Sequence, residues 1–329
     1  MVAVMPERHS FKPDTVLVSE ARPSPNHGVR VGDRAPDMIL LHYTGMADAD
    51  LALQRLCEPE SGVSAHYFIH TDGRIVQLVP EARRAWHAGH SAWAGETDIN
   101  SCAIGIEIHN PGHEFDYPDF PPRQIAAVIT LCRAIMLRRD IRADRVLGHS
   151  DVAPERKQDP GEKFPWRLLA DSGIGLWAEP ARIVKGPSFR LGDRGEVIAK
   201  LQEALVHYGY DLPMDGFYDE KTYAVVAAFQ RHFRPDHIDG VLDSSTMITL
   251  RRMLEEKVRI GAPMSPPVQA SPVQASPVQV SSVQAPLPQD YPEDAAQEEP
   301  AIGSDETASG IAFDIAPETA PEAAPASET

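Results

Sequence analysis

Two histidines of this chain stand at the ends of short apolar runs: His42 after Met38–Leu41, and His149 after Val146-Leu147. Asp159 follows His149 by ten residues, inside the loop "GHSDVAPERKQDPG". Two imidazole nitrogens and a carboxylate oxygen are donors suited to a hydrolytic zinc site, which keeps its fourth position open for water. Pro160 disfavours the α region for Asp159 and extends it. Alternate side chains of an extended chain project to one side, so the Lys157 ammonium is expected to point where the Asp159 carboxylate points. Glu107 would add a proton carrier. Its segment "CAIGIEIHN" alternates, with Ile104, Ile106 and Ile108 on one face. Gly105, Glu107 and His109 lie on the other, towards a cleft or solvent.

Taken singly, the loop reads as a solvated charged turn and Glu107 as a solvated strand residue. Together the five residues form a candidate metal site with a base and a cation beside it. His109 shares the face of Glu107 but lies two strand residues on, about 7 Å away, and the donor set is complete without it. The stretch "HEFDY" (113–117) lacks a second histidine, which excludes the helical HExxH arrangement.

These residues need strands and loops to converge them. "DMILLHYTG" reads as a short buried strand running into His42, and "HYFIHTDGRIVQLVP" as a hairpin about Thr71-Asp72-Gly73. From Arg123 to Arg139 the residues Ile125, Val128, Ile129, Cys132, Ile135 and Met136 keep a helical period. Strands interspersed with helices indicate an α/β fold, a mixed central β-sheet flanked by helices. We expect an N-terminal extension over 1–20, this catalytic unit over 21–178 and a linker over 179–187. A small three-helix domain follows over 188–257. It contains a repeat, "DGFYDEKT" and "DGVLDSST", 24 residues apart, and the second aspartate of each copy is placed to cap the next helix. Leu201, Leu205, Val226 and Phe229 fall at its core spacing.

The formal charge of −17 is unevenly placed: the segment after Gly261 carries eleven acidic residues and no Lys or Arg. The remainder, at −6, offers no phosphate-neutralising stripe, so nucleic acid is not an expected partner. With its Val-Gln repeats and Ala/Pro/Glu-rich end, the region 258–329 is expected to be a disordered tail. Three cysteines are too few for a disulfide framework or a cysteine zinc site. No apolar run is long enough to span a membrane, and the N-terminus shows no standard export signal. The expectation is a soluble protein of the cytoplasm, with the periplasm or cell envelope as the alternative.

The ordered motifs "LHYTG", "HYFIHTDGRIVQLV", "AWHAG", "IGIEIHN", "GHSDVAPERKQDPG" and "FPW" resemble the type-2 N-acetylmuramoyl-L-alanine amidases over about residues 22–166. That family comprises zinc hydrolases of bacterial peptidoglycan, related to phage amidase-type lysozymes and to peptidoglycan recognition proteins. The three-helix segment is similar to the peptidoglycan-binding domain attached to many wall hydrolases.

The resemblance implies Zn2+ held by His42, His149 and Asp159, with Glu107 as proton carrier and Lys157 as oxyanion stabiliser. The bond cut would join N-acetylmuramic acid to L-alanine in peptidoglycan or muropeptides, which would be the partners. His87, Tyr67 and Asn100 are the residues expected to reach substrate, each with a structural role as its competitor. The alternative function is a non-catalytic peptidoglycan receptor. Receptors of that type lack the third metal ligand, so Asp159 favours the enzyme.

Overall fold

The computed structural model describes residues 11–261. Eight strands are present among them: β1 (Glu20–Ala21), β2 (His27–Val29), β3 (Met38–Tyr43), β4 (Tyr67–Ile69), β5 (Ile75–Gln77), β6 (Arg83–Ala85), β7 (Ala103–Ile108) and β8 (Val146–Gly148). Six form one sheet in the order β1-β5-β4-β7-β3-β8, while β2 and β6 pair separately. The sheet is mixed. β4 and β5 are the antiparallel hairpin, and the remaining pairs are parallel. The central strand β3 reads Met-Ile-Leu-Leu because both of its faces are covered.

Helices α1 (Ala49–Arg55), α2 (Ile99–Cys102), α3 (Pro122–Arg139), α4 (His149–Val152) and α5 (Trp166–Asp171) lie between and after the strands. α3 begins with proline, whose missing N–H costs nothing there, and ends in Arg138 and Arg139, which complement the helix dipole. Its apolar stripe, Ile125, Val128, Leu131, Cys132 and Ile135, packs on Ile39, Leu41, Ile104, Ile106 and Ile108. Burying each such side chain contributes about 1.5–3 kcal/mol relative to exposure. Residues 14–20, read from sequence as part of a loose extension, are tied to the sheet edge. Asp14 Oδ2 accepts from Glu81 N at 2.8 Å, and Ser19 N donates to Ile75 O at 2.9 Å.

The C-terminal unit consists of α6 (Glu196–Tyr208), α7 (Glu220–Phe233) and α8 (Ser244–Arg259). Asp219 and Asp243 cap α7 and α8 by accepting from the N–H of Thr222 and Thr246, each at 2.7 Å. The repeat has a second cause that its aspartates do not reveal. Buried Gln202 accepts from Gly216 N and donates to Phe217 O; buried Gln230 accepts from Gly240 N and donates to Val241 O. One glutamine thus satisfies each repeated loop. The four expected core residues are all buried.

This unit shares a core with the second face of the sheet. Met38, Leu40, Trp93 and Leu147 belong to one apolar cluster with Leu205, Tyr208, Tyr210 and Phe229. Among the described residues, no helix is long and apolar enough to cross a membrane. The expected acidic tail lies, from residue 262, outside the described residues.

Candidate metal centre

Parallel pairing delivers the donors to one edge of the sheet. In register, Leu40 meets Gly105 and His42 meets Glu107, so His42 and Glu107 share the face opposite the isoleucines. On the other flank Leu41 pairs with Gly148, and His149 follows at once as the first residue of α4. The loop beyond α4 returns to it: Ser150 N donates to Asp159 O at 2.9 Å. Sites at the carboxyl ends of parallel strands are the rule in such sheets.

The three donor atoms meet. His42 Nδ1 lies 3.0 Å from His149 Nδ1, and Asp159 Oδ2 is 3.1 Å from both. All three residues are buried. His149 Nε2 faces the Ala88 carbonyl at 3.0 Å, an acceptor only, so that nitrogen carries the proton. In the tautomer that this bond selects, the lone pair of Nδ1 faces a carboxylate oxygen, an arrangement that a cation between them relieves. Bonds of about 2.0–2.1 Å in tetrahedral geometry demand donors about 3.3 Å apart, close to the spacing here. The residues therefore fit a metal ion.

Electrostatics agree. Burial, then the neighbouring His149, lowers the His42 pKa to about 4, keeping its lone pair free at neutral pH. Although burial opposes it, the two imidazoles hold the Asp159 carboxyl far below the usual range. Burial, then the charge of Asp159, raises the Glu107 pKa well above the carboxylate norm. Its Oε2 is buried with no hydrogen-bond partner among the described residues, and it lies on the donors' face of the sheet. The Lys157 ammonium makes no ion pair among the described residues, and its charge lowers the pKa of both His42 and Glu107. His109 stays out of the cluster, with Nδ1 at 3.2 Å from Thr44 Oγ1.

The other expected contacts fall elsewhere. Tyr67 pairs with Ile106, not Glu107, and so points to the opposite face of the sheet. Fully buried, it donates to Glu81 Oε1 at 2.7 Å, and Glu81 is also held by Arg138 and Arg139. In this structure Tyr67 therefore braces the Glu81 ion-pair cluster from within the core. Tyr67→Phe is expected to cost about 1.5–3 kcal/mol, the range for a hydrogen bond to a charged group, with kcat/KM unchanged. Thermal melts and an activity assay on the same sample check it. Asn100 is buried, and its Oδ1 accepts from the N–H of both His87 and Ala88 at 2.9 Å; it positions chain rather than facing a groove.

His87 lies behind His42. Its Nδ1 is 3.1 Å from His42 Nε2, and its ring rests where a Cβ on residue 105 would stand 2.5 Å away, so only glycine fits there. Residues 87 and 88 therefore orient both imidazoles, one through a ring nitrogen and one through a carbonyl. Arg156 also donates to that carbonyl. Sequence reasoning singled out His87 for substrate and not as a partner of His42, and it missed the Ala88 carbonyl; the glycine in "IGIE" marks the close approach of the His87 ring. His87→Phe keeps the ring and removes the acceptor. Metal affinity is expected to fall about 10–100-fold, as for other outer-layer partners, measured by chelator competition.

Residues 32–162 match the model of the N-acetylmuramoyl-L-alanine amidase family, and residues 194–250 match that of a peptidoglycan binding domain. The chain is 39% identical over 235 residues to the N-acetylmuramoyl-L-alanine amidase AmiD of Escherichia coli K12, covering 67% of this chain and 82% of AmiD. It is 35% identical to the 1,6-anhydro-N-acetylmuramyl-L-alanine amidase AmpD of Citrobacter freundii, over 46% of this chain and 90% of AmpD. The fold is similar to E. coli AmiD in complex with the substrate anhydro-N-acetylmuramic acid-L-Ala-D-γ-Glu-L-Lys (TM-score 0.59, 36% identity, 69% of this chain and 91% of that one). It is also similar to Pseudomonas aeruginosa AmpDh3 in complex with an anhydromuramic pentapeptide (TM-score 0.57, 31% identity, 75% and 98%). With that identity to AmiD over 82% of its length and the match of residues 32–162 to the family model, the chain belongs to the N-acetylmuramoyl-L-alanine amidase family.

Proposed function

We propose that His42, His149 and Asp159 hold a single zinc ion, and that Glu107 and Lys157 act beside it to hydrolyse the amide between N-acetylmuramic acid and L-alanine. The observation that carries this reading is the meeting of three donor atoms at 3.0–3.1 Å on the sheet face that also carries the unpartnered Glu107 Oε2. When bound, zinc would supply Lewis acidity, easing ionisation of water and polarising the scissile carbonyl. Glu107 accepts the proton of the attacking water and returns it to the departing nitrogen of L-alanine. Lys157 stabilises the oxyanion with its ammonium. A C–O bond forms as the C–N bond breaks, leaving a lactyl carboxylate on the sugar and a free amine on the peptide.

Soluble anhydromuramyl peptides are proposed as substrates, since the AmpD relatives are named for that activity and AmiD was solved with such a molecule. The three-helix unit is proposed to bind the polymer, which its match to a peptidoglycan binding domain supports. Mass spectrometry of an anhydromuramyl tripeptide digest tests the reaction: anhydromuramic acid and free tripeptide are expected, and intact substrate would refute it. Sedimentation of the full chain with purified sacculi tests the binding unit.

A further inference from the structure

The three-helix unit reaches into the metal loop through one buried carboxylate. Asp151 lies two residues after His149 in α4, and its Oδ2 accepts from Gly148 N at 2.8 Å, closing the turn that presents His149. The remaining bonds to that carboxylate come from the other unit. Tyr210 OH donates to Oδ1 at 3.0 Å, and His232 Nδ1 donates to Oδ2 at 2.8 Å. Both contacts are buried, so water does not substitute for them. The His232 ring is stacked between Trp166, at 3.7 Å, and Phe233, at 3.8 Å, which fixes its direction.

A second contact braces the other half of the site. Trp93 packs edge-on against Tyr208 and Tyr210, and Ala94 N donates to Gly209 O at 2.7 Å. Ala92 N donates to Val152 O at 2.8 Å, so this segment, four residues beyond Ala88, is joined to α4 as well. The unit thus grips both chain segments that aim the imidazoles: α4 itself and the stretch leading from His87 and Ala88.

The structure assigns Tyr210 and His232 as positioning residues for the metal centre, so that the three-helix unit is a working part of the catalytic site and not only an anchor. This inference rests on the zinc reading above. Its test uses the full chain with Tyr210→Phe, which removes one hydroxyl, and with Tyr210→Phe/His232→Phe, which keeps both rings and removes both donors. Zinc affinity by chelator competition, hydrolysis of a soluble anhydromuramyl peptide at limiting and excess zinc, and sedimentation with sacculi are compared with the wild type.

The double variant is expected to bind zinc about 10-fold more weakly, at the low end for outer partners of metal ligands. Activity should fall at limiting zinc and recover with excess, while sedimentation is unchanged. A merely structural role would not give recovery by metal. Zinc affinity within about twofold of wild type in both variants would overturn the inference. So would an unfolded double variant paired with a folded Tyr210→Phe of unaltered affinity. Failure of the wild type to hold zinc at His42, His149 and Asp159 would overturn the metal reading, and this inference with it.

Discussion

Asp159→Ala is expected to abolish metal retention and amide hydrolysis together, with kcat/KM falling by at least about 10⁴-fold. The size follows from what the carboxylate does. It is the only anion of the donor set, and it faces both Nδ1 atoms at 3.1 Å. Without it only two imidazoles remain, and the ion proposed to activate water would not be held. The effect must therefore exceed the top of the range for a single acid–base group, about 10²–10⁴. Ligand loss should leave the fold standing, because the Asp159 backbone carbonyl still accepts from Ser150 N. Metal analysis of purified protein alongside initial rates checks the outcome. A variant that keeps both its ion and its rate would show that the donors are elsewhere.

Glu107→Gln is expected to lower kcat by about 10²–10⁴-fold while metal binding persists. The amide keeps the shape of the carboxylate and cannot take a proton from water. The pH profile gives a second check with a defined sign. The base must be ionised to act, and its pKa is raised, first by burial and then by the charge of Asp159. A bound cation would offset the second cause and not the first. The wild-type acid limb of kcat should therefore lie above the ordinary carboxylate range of about 4.3, with activity lost as the pH falls through it. In Glu107→Gln that limb should vanish from the residual rate. An unchanged limb in the variant would assign it to another group.

The two histidines were legible because each stands where an apolar run ends, and strand ends converge in a parallel sheet, whereas Asp159 was legible from its extended, proline-locked loop beside Lys157. Glu107 was legible from alternation against Ile104, Ile106 and Ile108. The same alternation places Tyr67 with Ile69, on the apolar face, and Phe68 in register with Glu107. A polar ring within reach in sequence was thus on the wrong side of the sheet. The outer layer was hidden for a different reason: the group that orients His149 is the carbonyl of Ala88, and a backbone atom leaves no mark on composition. Asn100 looked like a substrate contact because a buried amide serving two backbone N–H groups has the same residue type as one serving a ligand.

The boundary between the units was the least readable feature. The segment 179–187 has the composition of a linker, and the repeat marks a separate helical module. Neither shows that Trp93 and Leu147 on one side share a core with Tyr208 and Tyr210 on the other. Aromatic residues at a junction resemble those of any core until both partners are placed. Asp151, in the stretch from which the metal reading began, bears no sequence mark of its partners, and it carries two of the polar bonds that join the two units.

Titration of the metal-free enzyme with zinc, followed by release of free peptide from an anhydromuramyl tripeptide, addresses the central claim most directly. The rate should rise in proportion to added zinc and level off at one ion per chain, and it should return to zero on chelation. Undiminished hydrolysis by the metal-free protein, or a plateau with the ion bound and no amine released, would contradict it.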